Sequence, residues 1–138
     1  MSQPNNSAIT MGVHHVGLTV PDVAQSADFF ISVLGFKQVG ARPDYPAIFV
    51  SDGTVMLTLW QAENPLTARS FNRKTNIGLH HLALKLGQRD LDALHAKLEQ
   101  VEGVEIEFAP EALGTAGARH MMCLIPGGLR IEFTAPPE

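Results

Sequence analysis

Cysteine is almost absent from this chain of 138 residues: Cys123 stands alone, so no intrachain disulfide is possible and nothing points to an oxidising compartment. Basic residues are also short, 10 against 14 acidic ones for a formal net charge of -4, and they are scattered. That balance argues against nucleic acid as the main partner. No apolar run approaches the roughly 18 residues a bilayer span requires. The start, Met1-Ser2-Gln3-Pro4-Asn5-Asn6-Ser7, has neither a basic n-region nor an apolar h-region. It does not read as a signal peptide, and a cytoplasmic protein is expected, with no membrane association. What remains, 45% hydrophobic and 17% charged residues, is the composition of a globular chain long enough to bury a core.

The chain does contain a repeat. Gly12-Val13-His14-His15-Val16-Gly17-Leu18 and Gly78-Leu79-His80-His81-Leu82-Ala83-Leu84 lie about half the chain apart. Each opens an alternating apolar run that leads into an acid-marked helix, the signature of a duplicated module. In the first half a strand over 13–20 precedes a helix capped at Asp22, with Val23, Ala24, Ala27, Phe30, Ile31 and Leu34 at helical spacing and Gly35 at its end. Strands near 36–41, 46–51 and 54–61 follow. In the second half a strand over 80–86 precedes a helix capped at Asp90, with Leu91, Leu94, Leu98 and Val101 on one stripe. Strands near 104–109, 118–125 and 128–135 complete it, and 110–117 reads as a loop able to cover a site. The expectation is a flexible leader over 1–10 and a single domain over 11–138. That domain divides into module one (12–61), a linker (62–76) and module two (77–135), each βαβββ, in an α+β fold.

Side-chain parity then selects candidate residues. Neighbouring strand residues face opposite sides of a sheet. His14, Val16, Leu18 and Val20 form the greasy face, as do His80, Leu82, Leu84 and Leu86. His15 and His81 fall on the other, mixed face, while His14 and His80 are assigned to the packing side. Aligning the last strand of each half puts Met56, Thr58 and Trp60 on that mixed face, and Arg130, Glu132 and Thr134 with them. His15, Thr58, His81 and Glu132 are therefore equivalent in pairs. Two imidazoles and one carboxylate suit a divalent ion with open coordination positions, and Zn, Fe(II), Mn, Ni and Co all accept such donors. The simpler alternative for Glu132 is an ion pair with Lys85 or Arg130. Lys85 and Arg130, on the same face, are candidates for neutralising an anionic substrate. Met56, Thr58 and Trp60 are candidates for the pocket wall, and His120, which shares parity with Met122, joins them. Parity leaves open whether such a site closes within one chain or across a dimer.

With these residues in place the chain resembles the vicinal oxygen chelate superfamily, which includes glyoxalase I, extradiol dioxygenases, and fosfomycin- and bleomycin-resistance proteins. His15-Val16-Gly17-Leu18-Thr19-Val20-Pro21-Asp22, Phe29-Phe30, Val33-Leu34-Gly35-Phe36, His81-Leu82-Ala83-Leu84 and Pro126-Gly127-Gly128-Leu129-Arg130-Ile131-Glu132-Phe133 carry the likeness. It implies paired βαβββ modules forming a cupped mixed sheet with helices on its outer face, and often a homodimer. It also implies metal positions at His15, Thr58, His81 and Glu132. Glyoxalase I and related epimerases have a carboxylate where this chain has Thr58, so Glu132 would serve as ligand and base, or another group would take the base's part. The implied activity is that of a metal-dependent enzyme, lyase or isomerase-like or dioxygenase-like, acting on a small substrate with adjacent oxygens. The alternative is a metal-free binding protein like those of bleomycin resistance.

Overall fold

Two copies of one βαβββ unit build the computed structural model, which describes residues 8–138. Most of the expected leader, residues 1–7, lies outside the described residues. The first unit comprises β1 (His15–Val20), α1 (Val23–Asp28), β2 (Lys37–Arg42), β3 (Ala47–Ser51) and β4 (Met56–Gln61). The second comprises β5 (Leu82–Lys85), α2 (Gln88–Leu98), β6 (Glu105–Ala112), β7 (Arg119–Leu124) and β8 (Arg130–Ala135). Each makes a four-stranded mixed sheet, ordered β1-β4-β3-β2 and β5-β8-β7-β6. In both, the first strand runs parallel to the last, and the other pairings are antiparallel. A helical crossover is what permits that parallel pairing. The expected α+β pair of modules is thus present.

Local signals explain the first helix. Asp22 is its N-cap, with Oδ1 accepting from the Gln25 amide at 3.1 Å. The helix continues as a π-helical turn over Phe29–Val33. It stops at Gly35, whose φ of 79° admits glycine readily, and the Phe36 amide closes back onto the Phe30 carbonyl at 3.0 Å. The second helix starts earlier than its sequence suggested: Gly87 is the N-cap and Asp90 sits within the first turn. There its carboxylate still faces the positive end of the helix dipole. Strand boundaries also differ. β1, β4, β5 and β8 each begin two residues later than expected, at His15, Met56, Leu82 and Arg130, and β6 runs through to Ala112, so part of the expected covering loop is strand. Register shifts around Phe108 let β6 bend along β7.

Alternation decides what is buried. Leu18, Val20, Leu57, Leu59, Met121, Cys123, Ile131 and Phe133 turn inward and join Phe30, Leu91 and Leu98 of the helical segments in one core shared by both units. The units also meet directly, since Lys97 Nζ donates to the Val33 carbonyl at 2.8 Å and a Cβ at Gly127 would touch Ser26 Oγ at 3.3 Å. Because the apolar faces of both sheets go to this core, their mixed faces look away from it. Among the described residues no helix is long and apolar enough to cross a membrane.

Candidate functional site

The β7–β8 hairpin positions the most polar buried group on the second sheet. Its register sets Met122 opposite Glu132 and His120 opposite Thr134, while β5 sets Ala83 beside Glu132. His81, just before β5, and His120, two residues along β7 from Met122, therefore flank the Glu132 carboxylate. Glu132 is only 9% exposed. His81 Nε2 lies 2.9 Å from its Oε1, and His120 Nδ1 lies 2.6 Å from its Oε2. One carboxylate oxygen is thus hydrogen-bonded by His120 and the other has the His81 imidazole beside it, which is how a buried carboxylate becomes tolerable. The Phe108 ring packs on His120 with centroids 4.9 Å apart. The other nitrogen, His120 Nε2, has Glu111 Oε1 at 3.9 Å, beyond hydrogen-bond reach.

The ion pairs expected as the simpler fate of Glu132 do not form. Arg130 turns instead to Glu107, its Nε at 2.9 Å from Oε1 and its NH2 at 2.7 Å from Oε2. These hydrogen bonds are the main reason Glu107 is held below the usual carboxylate range and Arg130 above its ordinary value. Lys85 lies opposite Thr134, is exposed, and lines a crevice of about 310 Å³ at the junction of the units with Asp52 and Asp90. His80 and His14 are exposed rather than packed. Both strands begin after them, so the alternation that assigned them to the greasy face does not yet apply. Each instead meets its neighbour, Nδ1 to Nδ1, at 2.9 Å for His14 and His15 and 2.8 Å for His80 and His81. Partial desolvation and then the nearby Arg130 charge hold His80 below its ordinary pKa.

The mixed face of the first sheet is aromatic. The ladder sets His15 opposite Met56, Gly17 opposite Thr58, and Phe49 opposite Thr58 on the other side. Thr58 is 4% exposed, and its Oγ1 accepts from Trp60 Nε1 at 2.9 Å. That hydroxyl, at the position equivalent to Glu132, is therefore committed to holding an indole. Trp60 meets Tyr45 edge-on with centroids 4.6 Å apart and Phe49 at 5.8 Å. Gly17 gives this cluster room, because a Cβ would approach Thr58 Oγ1 to 3.2 Å, tighter than most contacts, and Trp60 Nε1 to 3.6 Å. Tyr45 and Phe49 were not anticipated from sequence. Phe49 was accessible from strand parity once β3 was paired, whereas Tyr45 lies in a turn, where alternation carries no information.

The structure brings His81, His120 and Glu132 together, and Met56, Thr58 and Trp60 together, on separate sheets. His15 stays with the second group. Among the described residues no three His, Cys, Asp or Glu side chains form a group able to hold a metal ion. The donors nonetheless have suitable chemistry. Two imidazoles and a carboxylate are the donor types that a divalent transition ion takes.

Comparison with known proteins gives a consistent picture. The profile of the Glyoxalase/Bleomycin resistance protein/Dioxygenase superfamily matches residues 12–133. A 2-epi-5-epi-valiolone epimerase from Actinomyces sp is 28% identical over 149 residues, spanning 92% of this chain and 80% of that protein. A lactoylglutathione lyase from Agrobacterium tumefaciens superposes with a TM-score of 0.70 at 17% identity, covering 93% of this chain and 96% of the other. A variant of the fosfomycin resistance protein FosX from Listeria monocytogenes, solved with Mn(II) and 1S,2S-dihydroxypropylphosphonic acid, superposes with a TM-score of 0.71 at 15% identity, covering 92% and 91%.

Proposed function

This chain belongs to the Glyoxalase/Bleomycin resistance protein/Dioxygenase superfamily, and from that premise we propose that it is a divalent-metal-dependent enzyme moving a proton at a carbon beside a carbonyl. The observation that carries this reading is the Glu132 carboxylate, nine-tenths buried, with His120 hydrogen-bonded to one oxygen and the His81 Nε2 2.9 Å from the other. His15, His81 and Glu132 are the residues that would hold the ion. When bound, such an ion supplies Lewis acidity to adjacent oxygens of a hydroxy-carbonyl substrate. Glu132 is both ligand and part of the proton path. His120 donates from Nδ1 to Glu132 Oε2, which leaves Nε2 as the atom able to take or return a proton. It thereby fills the role left open by Thr58, whose hydroxyl is engaged by Trp60. Met56 and Trp60, with Tyr45 and Phe49, form the wall for the apolar part of the substrate. The epimerase activity of the Actinomyces relative supports this choice over ring cleavage, and the Mn(II) of the FosX complex supports a divalent ion.

The partner that completes the site is a second copy of this chain. β1 and β5 each lie at the end of their ladder. The segments before them expose Ile9, Met11 and Val13, and Ile77 and Leu79. A homodimer that pairs these edges would cover that apolar surface and bring the His15 of one copy to the His81 and Glu132 of the other. The competing reading is a metal-free binding module like those of bleomycin resistance, which the aromatic cluster around Trp60 would also serve. Titration of untagged protein with Mn(II) separates the two. The enzyme reading expects one tight site per chain, lost in Glu132→Gln and His15→Ala, and wash-in of deuterium beside the carbonyl of a hydroxyketone. Absence of Mn(II) uptake favours the binding module.

A further inference from the structure

We propose that Glu107 sets the substrate class of this site: by clamping the Arg130 guanidinium it makes the site select an uncharged hydroxy-carbonyl compound over an anionic one. The inference rests on the site of the proposed function and adds its charge preference. Arg130 precedes Glu132 by two residues on β8, so both project from the same sheet face, and Arg130 is the cation nearest the candidate centre along that strand. An anionic headgroup would normally recruit such a fork, because planar bidentate recognition of carboxylate, phosphate or phosphonate is what arginine does best.

Here the fork is taken. Nε and NH2 of Arg130 reach the two oxygens of Glu107 at 2.9 and 2.7 Å. The remaining NH1 faces His80 Nδ1 at 3.3 Å. The Arg130 side chain is only 13% exposed and that of Glu107 31%, so the pair is partly withdrawn from water and an incoming anion would have to displace a carboxylate already in bidentate geometry. Arg73 shares the same carboxylate, its NH2 3.8 Å from Glu107 Oε2, so it reinforces the clamp rather than offering a free fork, and its side chain stays one-third exposed. Arg119 is committed to Asp92 at 3.0 and 2.8 Å and projects from the opposite face of β7 to His120. An anion approaching Glu132 would also meet the Glu111 carboxylate beyond His120. Lys85 is the cation left over, and it lies further along β5, lining the crevice at the unit junction. The wall around Trp60 offers aromatic faces to C–H groups and no charge at all.

The test compares hydroxyacetone, an uncharged hydroxy-carbonyl compound, with hydroxymethylphosphonate, an anion carrying the same hydroxymethyl group, on unmodified protein, Glu107→Gln and the double variant Glu107→Gln/Arg130→Gln. Binding is read calorimetrically, with and without Mn(II). Glu107→Gln should raise phosphonate affinity about tenfold relative to hydroxyacetone, the gain expected from one freed guanidinium at a partly exposed position. The double variant, which replaces both charges by amides and whose fold is checked by circular dichroism, should lose that gain. Equal phosphonate affinity in unmodified protein and Glu107→Gln overturns the proposal, as does a gain that persists without Arg130 and so points to Lys85. Mn(II) affinity, measured in the same titrations, reports separately on the proposed function: its absence defeats the metal reading while leaving the metal-free anion comparison decisive for Glu107.

Discussion

Replacing Thr58 by valine removes one hydroxyl from the first sheet and should unsettle the only tryptophan in the chain. The hydroxyl sits at a 4% exposed position and accepts from Trp60 Nε1 at 2.9 Å, while its own contact to the Val16 carbonyl at 3.5 Å is too long to contribute much. Valine matches threonine in shape and suits a strand, so neither a cavity nor a backbone cost is added. The loss is then one buried neutral hydrogen bond with an indole N–H left unpaired, about 1.5 kcal/mol. At about 2.1 cal/mol/K per residue the unfolding entropy of 138 residues is about 0.3 kcal/mol/K, which converts the loss to a Tm drop of about 5 °C. Calorimetry reads the drop, and intrinsic fluorescence reads the indole, which should lose its fixed setting against Tyr45 and Phe49. Thr58→Ser keeps the acceptor and should recover most of both signals. If Thr58→Val melts within 1 °C of the parent with unchanged emission, the assignment of this hydroxyl to Trp60 is wrong.

Three other outcomes are expected. Cys123 is fully buried and its thiol is pushed up to about 12 by that burial, so native protein at neutral pH should resist a thiol reagent and label fully in denaturant; rapid native labelling would contradict its placement. Ser26 Oγ is buried on α1 without a hydrogen-bond partner, so Ser26→Ala should raise stability by about 0.5–1 kcal/mol in denaturant unfolding, and a loss of stability would reveal a partner for that hydroxyl. Glu107 is held below its ordinary value chiefly by the Arg130 hydrogen bonds. Its contribution is therefore complete above about pH 4.3 and lost as pH falls through the lower folded value. Unfolding measured across that window should decline less steeply in Glu107→Gln, and parallel profiles would remove Glu107 from the acid-sensitive groups.

The repeat made the modules legible because it is written in alternation and in glycine. Leu18, Val20, Leu57, Leu59, Ile131 and Phe133 all turn inward as period two requires. The same alternation put His15, Thr58 and Glu132 on the mixed faces and kept His120 with Met122, which the β7–β8 register turned into a contact with Glu132; His81, just before β5, reaches Glu132 although its strand has not begun. It failed where strands had not begun, hence the misassigned His14 and His80. It failed also for partner choice, since Arg130 had two carboxylates within reach and nothing in local spacing favoured Glu107, which lies across the sheet on β6. Nor does a strand pattern tell whether two sheets join within a chain; ladder order had to show β1 and β5 as ends.

The most direct test of a metal site shared between two copies is mixing of His15→Ala with Glu132→Gln. Each variant alone should bind Mn(II) weakly, because every site lacks one donor. Random exchange makes half of the dimers hybrids, each with one intact site, so about a quarter of all sites should regain the affinity of the unmodified protein. Titration of the equilibrated mixture should show that fraction. A mixture no better than its parents, prepared from protein that does bind Mn(II), would place His15 and Glu132 at the same ion within one chain or remove one of them from it.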